Sequence, residues 1–496
     1  MLDEFARLQR GLAEVWPTLT LRSYEATART NVVVHSLSND PPAHLAPVLP
    51  AYEERFLCLV LGLLRTPGSR VVYVTSQPVL PRILDYWFSL MPDLNAADAR
   101  QRLVLVSPVD GTFQPLSAKL LSRPRLLGRI RDHVVDPRLA VVVPFVMSEL
   151  EVQLALALGI PIYGSDPALS VLGSKSGARR LFREEGIPHA VGVDGVQSRT
   201  DLVAAIRSIR EQQASVTEVI VKLDAGFSGL GNALINVDGI ADVDLDAAVL
   251  NMELEDPSAS RDDFLAYLEE GGGVVEERIG GDEYRSPSVQ LRASPTGDVE
   301  VLSTHDQILG GPNGLTFRGS RFPADPGYAS EITDHALRLG RRLAREGAIG
   351  RFAVDFVTVR NGEGPWRSYA IEINLRCGGT TATYFALQAL TDAAYDPDTA
   401  ELLCNGQAKH YVASDHLAGP EYRDLTPDDL LDFVDAGALG WDRERHTGIA
   451  FHMISSLAVA GFVGATAIGN TPHEAQAAYN HAQQLLDSAS ARQPLK

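Results

Sequence analysis

Residues 351 to 374 carry two β-branched and aromatic runs around one turn signal, and little but an antiparallel hairpin accommodates them. The runs are Arg351-Phe-Ala-Val-Asp-Phe-Val-Thr-Val359 and Ser368-Tyr-Ala-Ile-Glu-Ile-Asn374, with Asn361-Gly362 between them. Pairing these strands brings Asp355 near Glu372 and Asn374. Two-residue spacing sends Glu372 and Asn374 to one face. An isolated acidic pair on a hairpin is ordinarily a solvated face. These acids sit among Phe, Val, Ile and Ala, where an uncompensated carboxylate is costly. Two carboxylates and an amide oxygen form a hard donor set suited to Mg²⁺, which usually leaves positions for phosphate oxygens. The stretch Arg376-Cys-Gly-Gly-Thr-Thr381 that follows suits a backbone approaching a ligand closely.

The chain has 496 residues, enough for about three domains. With 44 Lys and Arg against 63 Asp and Glu, its net charge is −19, which argues against sequence-independent nucleic-acid binding. Cys58, Cys377 and Cys404 are odd in number and form no CxxC, so neither a disulfide framework nor a zinc ribbon is indicated. The N-terminus lacks a signal-peptide core, and the apolar run from Phe56 to Leu64 is too short to span a bilayer. A soluble cytoplasmic protein without membrane partners is expected.

Residues 1–165 alternate strand and helix signals. Strands are predicted at Arg70–Thr75, Leu103–Val106, Leu139–Val143 and Ile160–Tyr163. Helices are predicted at Leu80–Leu90, Ser117–Val134 and Met147–Leu158. That rhythm predicts a doubly wound parallel sheet, without a GxGxxG fingerprint. Beyond it come a short helix from Lys175, a helix at 200–212, a strand Glu218–Lys222, and a strand Gly273–Ile279. Paired strands follow at Ser286–Ala293 and Val299–Gln307, then a long helix from Tyr328 to Glu346. Residues from about 400 read as a further α+β module.

Lys222 ends an apolar strand and precedes Asp224-Ala-Gly-Phe-Ser-Gly-Leu-Gly-Asn232. Backbone N–H groups of such a loop can cradle phosphate, and the lysine adds a point charge. Lys175 opens a helix. Glu276, Glu277, Arg278 and Ile279 leave a strand whose backbone can meet an adenine edge, and Glu283 trails them as an acceptor for ribose hydroxyls. Each feature taken singly is as readily a flexible turn or a solvated charge.

Taken in order, these motifs resemble the ATP-grasp superfamily over about residues 166 to 395. The resemblance implies that Lys175 and Lys222 contact ATP phosphates under a loop containing Gly226, Ser228, Gly229 and Gly231. It implies that Glu276 to Ile279 line adenine and that Glu283 binds ribose. Asp355, Glu372 and Asn374 match the magnesium ligands, with Mn²⁺ as a substitute. Arg376 matches the arginine beside the acceptor carboxylate or acyl phosphate. Asn374 to Thr381 and the C-terminal module are most similar to the pheganomycin-type ATP-grasp peptide ligases. Ala382-Thr383 stand where His-Pro is expected, and Arg351 where a small or apolar residue is more frequent.

The implied layout is a Rossmann-like pre-ATP-grasp domain (1–165), a nucleotide-binding subdomain (166–285), a magnesium and catalytic subdomain (286–395) and a small C-terminal α+β module (396–496). The implied activity is a carboxylate–amine ligase using ATP and Mg²⁺, acting on a small carboxylate and an amino acid or peptide amine. A role in peptide natural-product biosynthesis and a homodimeric state are expected. The alternatives are an ATP-grasp carboxylase, an acid–thiol ligase or a nucleotide-binding regulator; the chain has no biotin-accepting lysine motif. Arg292, Ser303, His305 and Asp306 fall in the segment expected to face the acceptor.

Overall fold

The computed structural model describes residues 2–20, 29–38, 43–91, 93–224, 231–419, 421–437 and 439–490. A helix at Leu2–Thr20, absent from the sequence expectation, precedes a four-stranded parallel sheet. Its strands are β1 (Thr30–Val34), β2 (Arg70–Val74), β3 (Leu103–Val106) and β4 (Ala140–Pro144), in the order β3-β2-β1-β4. The central strand β1 was not predicted, yet all five of its residues are buried. Ile160–Tyr163 was expected as a strand and makes one bridge only, Ile162 against Val142. Pro161 lacks the N–H a full ladder needs and contributes only its carbonyl, to Val142 N at 2.8 Å. The helix expected over Ser117–Val134 is two, Leu116–Leu121 and Pro124–Asp132, because Pro124 cannot continue the first and opens the second.

A second, antiparallel sheet holds β5 (Gly192–Val196), β6 (Glu218–Leu223), β7 (Asn232–Asn236), β8 (Glu253–Leu254) and β9 (Gly273–Glu277), in the order β5-β9-β6-β7-β8. Helices Arg199–Gln212 and Arg261–Gly271 help to close a core of its own around Ile206, Val219, Val221, Phe264 and Val275.

The third sheet is the largest. It starts with β10 (Glu283–Arg285), β11 (Pro287–Ala293), β12 (Val299–Gly310), β13 (Thr316–Phe322), β14 (Gly350–Arg360) and β15 (Arg367–Asn374). Three short strands stand apart: β16 (Tyr395–Asp396), β17 (Glu401–Cys404) and β18 (Gln407–Ala408). The large sheet then continues through β19 (His410–Ala418), β20 (Trp441–Asp442), β21 (Thr447–His452) and β22 (Phe462–Gly469). The order is β10-β14-β11-β12-β13-β19-β22-β21-β20, with β15 on the other side of β14. Residues on either side of position 396 therefore share one sheet.

Along β11 and β14, Val289, Leu291, Phe352, Val354 and Phe356 alternate with Ser288, Gln290, Ala353 and Asp355. The apolar set packs with Ile332, Ala336, Leu339 and Leu343 of helix Pro326–Arg345 in one continuous core. The other set faces a cleft toward the second sheet. Among the described residues, no helix is long and apolar enough to cross a membrane.

Candidate active site

The hairpin forms as its sequence predicts, and Gly362 takes the left-handed backbone at its turn with φ +54°. One feature of it was not expected: the register shifts between Asp355 and Phe356. Phe356 pairs with Ala370 and Asp355 with Glu372, so Ile371 is an extra residue on β15. In a regular ladder Glu372 would share the face of Ala370, which is 1% exposed in the core. The bulge turns Glu372 and Asn374 onto the face of Asp355. The Asn374 amide donates to Asp355 Oδ2 at 2.9 Å. Burial, with Glu372 alongside, pushes the Asp355 carboxyl up to about 6. Burial opposes charge on Glu372 too, but Lys175 overrides it and holds that carboxyl below its usual value. Among the described residues no three His, Cys, Asp or Glu side chains group as a metal set; beside Asp355 and Glu372 stands the Asn374 amide.

Both lysines converge on this cleft, of about 1140 Å³. Lys175 is the first residue of helix Lys175–Glu184 and is ion-paired with Glu372. Ser174 caps that helix, accepting from Gly177 N at 3.0 Å. Gly177 cannot carry a side chain, because its β-carbon would lie 1.9 Å from the Val171 carbonyl oxygen. Lys222 is ion-paired with Glu276, which also binds Arg179. Burial works against the Glu276 charge, but Lys222 and Arg179 outweigh it and lower that carboxyl below its usual value. Glu276 is thus a buried counter-ion, 2% exposed, holding Lys222 at the cleft wall. Arg179, missed from sequence, lies four residues after Lys175 on the same helix face; that spacing beside a buried acid was the available signal.

Glu276, Glu277, Arg278 and Ile279 all line the cleft. Glu277 caps the neighbouring strand, accepting from Val191 N at 3.0 Å. Gly231 lines the cleft too, and its carbonyl accepts from Leu223 N at 2.9 Å. Gly226, Ser228 and Gly229 lie outside the described residues. Ser176 anchors the start of that loop, its N–H and hydroxyl donating to Asp224 at 2.7 and 2.8 Å.

Glu283 departs from expectation. It sits on β10 opposite Arg360, accepts from that guanidinium at 2.5 Å, and is not among the residues lining the cleft; Tyr284 is. The alternation of β10 puts the two neighbours on opposite faces. The acceptor segment also differs. Ser303 and His305 are buried and satisfied, His305 bonding Ser303 at 2.8 Å and Tyr411 at 3.0 Å within an aromatic core. Asp306 accepts from Tyr328 at 2.6 Å and from Asp325 N at 3.1 Å, bracing the start of helix Pro326–Arg345. Glu255, another unread residue, is 1% exposed and accepts from Asn313 N, Leu315 N and the Thr316 hydroxyl, at 3.0, 3.2 and 2.6 Å. It ties the polar loop before β13 to the second sheet.

Comparison with known proteins identifies the family. Residues 167–253 and 257–398 match the family described as "IQCH-like, ATP-grasp", and residues 429–480 match the "PGM1 C-terminal domain". The L-propargylglycine–L-glutamate ligase of Streptantibioticus cattleyicolor is 31% identical over 450 residues, covering 89% of this chain and 90% of that one. IQ motif-containing protein H of Danio rerio is 23% identical, covering 72% of this chain and 38% of that protein. The fold is shared with a biotin carboxylase from Campylobacter jejuni, crystallised as a β,γ-ATP complex, at 12% identity. That match has a TM-score of 0.55 and covers 95% of this chain and 96% of the carboxylase. The ATP-grasp family match and the near-full-length relationship to a peptide-forming ligase place this chain in the ATP-grasp superfamily, among its pheganomycin-type carboxylate–amine ligases.

Proposed function

We propose that the protein joins a small-molecule carboxylate to the amine of an amino acid or peptide through an acyl phosphate, in the making of a peptide natural product. The observation that carries this reading is the convergence of Lys175, Lys222 and Arg376 with Asp355, Glu372 and Asn374 on one cleft. The relative's two substrates, L-propargylglycine and L-glutamate, are the first pair to assay. Its 31% identity favours C–N bond formation over the carboxylase and acid–thiol alternatives.

The donor set fits a divalent cation. Two carboxylates are crowded in a half-buried place, one pushed toward its neutral form, and a cation relieves that conflict. Asp355, Glu372 and Asn374 would hold Mg²⁺, with Mn²⁺ as a substitute; bound there, the ion neutralises phosphate charge. Lys175 and Lys222 would bind phosphate oxygens, which join or replace Glu372 and Glu276 as their partners. The backbone of Glu277 to Ile279 would line the base, and the loop with Gly226, Ser228, Gly229 and Gly231 would cover the phosphates. Arg376 would orient the acid for attack on the γ-phosphorus, releasing ADP. The amine then attacks the acyl carbon, and phosphate leaves with one oxygen from the acid. Catalysis by these side chains is charge neutralisation and positioning. A homodimer is the oligomeric state we propose.

With ¹⁸O-labelled acid, ADP and phosphate should form in equal amounts with the amide, and one label should appear in the phosphate. Release should require Mg²⁺ and slow sharply without the amine. AMP as product, or unlabelled phosphate beside a coupled amide, rules out the acyl-phosphate course.

A further inference from the structure

Behind the cleft lies a second, smaller cavity of about 120 Å³, between the parallel sheet and the hairpin. Arg376 and Phe145 line both spaces and so stand between them. The cavity walls are apolar on several sides, with Leu59, Val143 and Leu375 among them. Its polar lining is what sets it apart.

Arg292 and Arg351 are direct cross-strand partners in the β11–β14 ladder, and like charges placed so repel. Arg292 has its own counter-ion, Glu300, its partner on β12. Arg351 makes no ion pair with any described residue; its guanidinium lies over the Phe385 ring, 4.2 Å from the centroid. Burial, with Arg292 beside it, lowers the Arg351 pKa. Two more polar groups line the same cavity unsatisfied. The Tyr163 hydroxyl and both ring nitrogens of His35 are buried with no hydrogen-bond partner among the described residues, and His35 is 2% exposed. Burial keeps His35 neutral by lowering its pKa to about 3, so one ring nitrogen carries a proton to donate.

A cation without a counter-ion and two unused donors around one apolar space describe a receptor for an anion on a small aliphatic body. Position adds a length. Arg351 and Asp355 lie on one strand and, by the alternation, on one face, with Ala353 between them. Four residues of strand span about 13 Å. A substrate reacting near Asp355 can therefore pass Arg376 and place its far end at Arg351.

We propose that this cavity anchors, through Arg351, the carboxylate of an amino-acid-sized substrate that does not take part in the reaction. This rests on the ligase reading above. Two sources share that chemistry: a second carboxylate on the acid substrate, or the amine substrate's own carboxylate.

The test uses the full chain and thermal unfolding with glutarate and L-norvaline as probes, and glutaramide and L-norvalinamide as uncharged controls. Arg351→Met keeps the length and removes the charge. The parent should be stabilised by at least one charged probe and by neither control, and Arg351→Met should lose that shift. Without ligand, Arg351→Met should melt no lower than the parent, because an unpaired charge opposite Arg292 has gone. A shift with glutarate alone assigns the cavity to the acid; a shift with norvaline assigns it to the amine partner. The proposal is overturned if neither charged probe shifts the parent, if Arg351→Met keeps the shift, or if that variant melts markedly lower, as a structural staple on Phe385 would. The shift caused by Mg²⁺·ATP should persist in Arg351→Met, and its absence from the parent would instead count against the nucleotide reading.

Discussion

Glu372 is the side chain on which most of the cleft depends. It shares the buried face with Asp355, yet Lys175 keeps it charged. Replacing it with Gln preserves shape and removes the charge; Asn374→Ala removes the amide oxygen. Each should lower turnover by at least roughly a hundredfold, the scale at which one transition-state contact is lost. Circular dichroism should be unchanged, because neither side chain belongs to the apolar core. Near-parental turnover in either variant would remove this hairpin from the metal-site assignment. The residue scale was also where sequence reading was strongest. Lys175, Lys222, Glu276, Asp355, Glu372, Asn374 and Arg376 all line one cleft. Glu283 does not, because a strand's alternation decides which of two neighbours faces inward, and a three-residue strand carries too short a pattern to read.

At the scale of elements, the bulge at Ile371 matters more than any strand propensity. It lets Ala370 face helix Pro326–Arg345 while Glu372 faces the cleft, two residues apart on opposite faces. Inserting one alanine between Asp355 and Phe356 would give Ile371 a partner, restore a regular ladder and send Glu372 toward the core. The variant should lose at least about a hundredfold in turnover and melt below the parent, since a buried unpaired carboxylate is costly. An insertion variant that melts and turns over like the parent would show that the register is set elsewhere. In Ala-Ile-Glu-Ile-Asn the two adjacent apolar residues Ala370 and Ile371 break the alternation where the bulge lies, a signal that small, ambivalent alanine leaves faint. Pro124 and Pro161, by contrast, are local signals whose effects on helix and strand were open to prediction.

At the scale of the molecule, one apolar core runs from Val33 of the parallel sheet and Trp87 of helix Pro81–Leu90 through Phe352 to Leu430 and Ala465 near the C-terminus. Glu54 sits at one such junction, 6% exposed, accepting from Ile454 N at 2.7 Å across 400 residues of sequence. Burial pushes its carboxyl from 4.5 up to about 7. The folded protein then holds that proton more tightly than the unfolded chain. The stabilising contribution is full below about 4.5 and is lost as pH rises through about 7. Glu53, also raised to about 7, titrates beside it. Melting measured from pH 6 to 8 should therefore fall less in Glu54→Gln, which keeps an oxygen for Ile454 and has no charge to bury. Parallel curves for variant and parent would show that Glu54 is not a source of the pH dependence.

Local chemistry in the sequence was enough to point to the ATP-grasp superfamily. A strand-end lysine, a helix-start lysine, a glycine-rich loop and an acidic hairpin each carry their signal within a few neighbouring residues. The sequence also determined the sheet classes, because alternation and helical periodicity are local. Tertiary structure alone decided the facing of Glu372, the pairing of Glu276 with both Lys222 and Arg179, and the burial of His305. It alone placed Arg351 opposite Arg292 at the wall of a second cavity. Each of these depends on which strand lies beside which and in what register. That is set by packing between segments tens to hundreds of residues apart, a term no window of sequence contains.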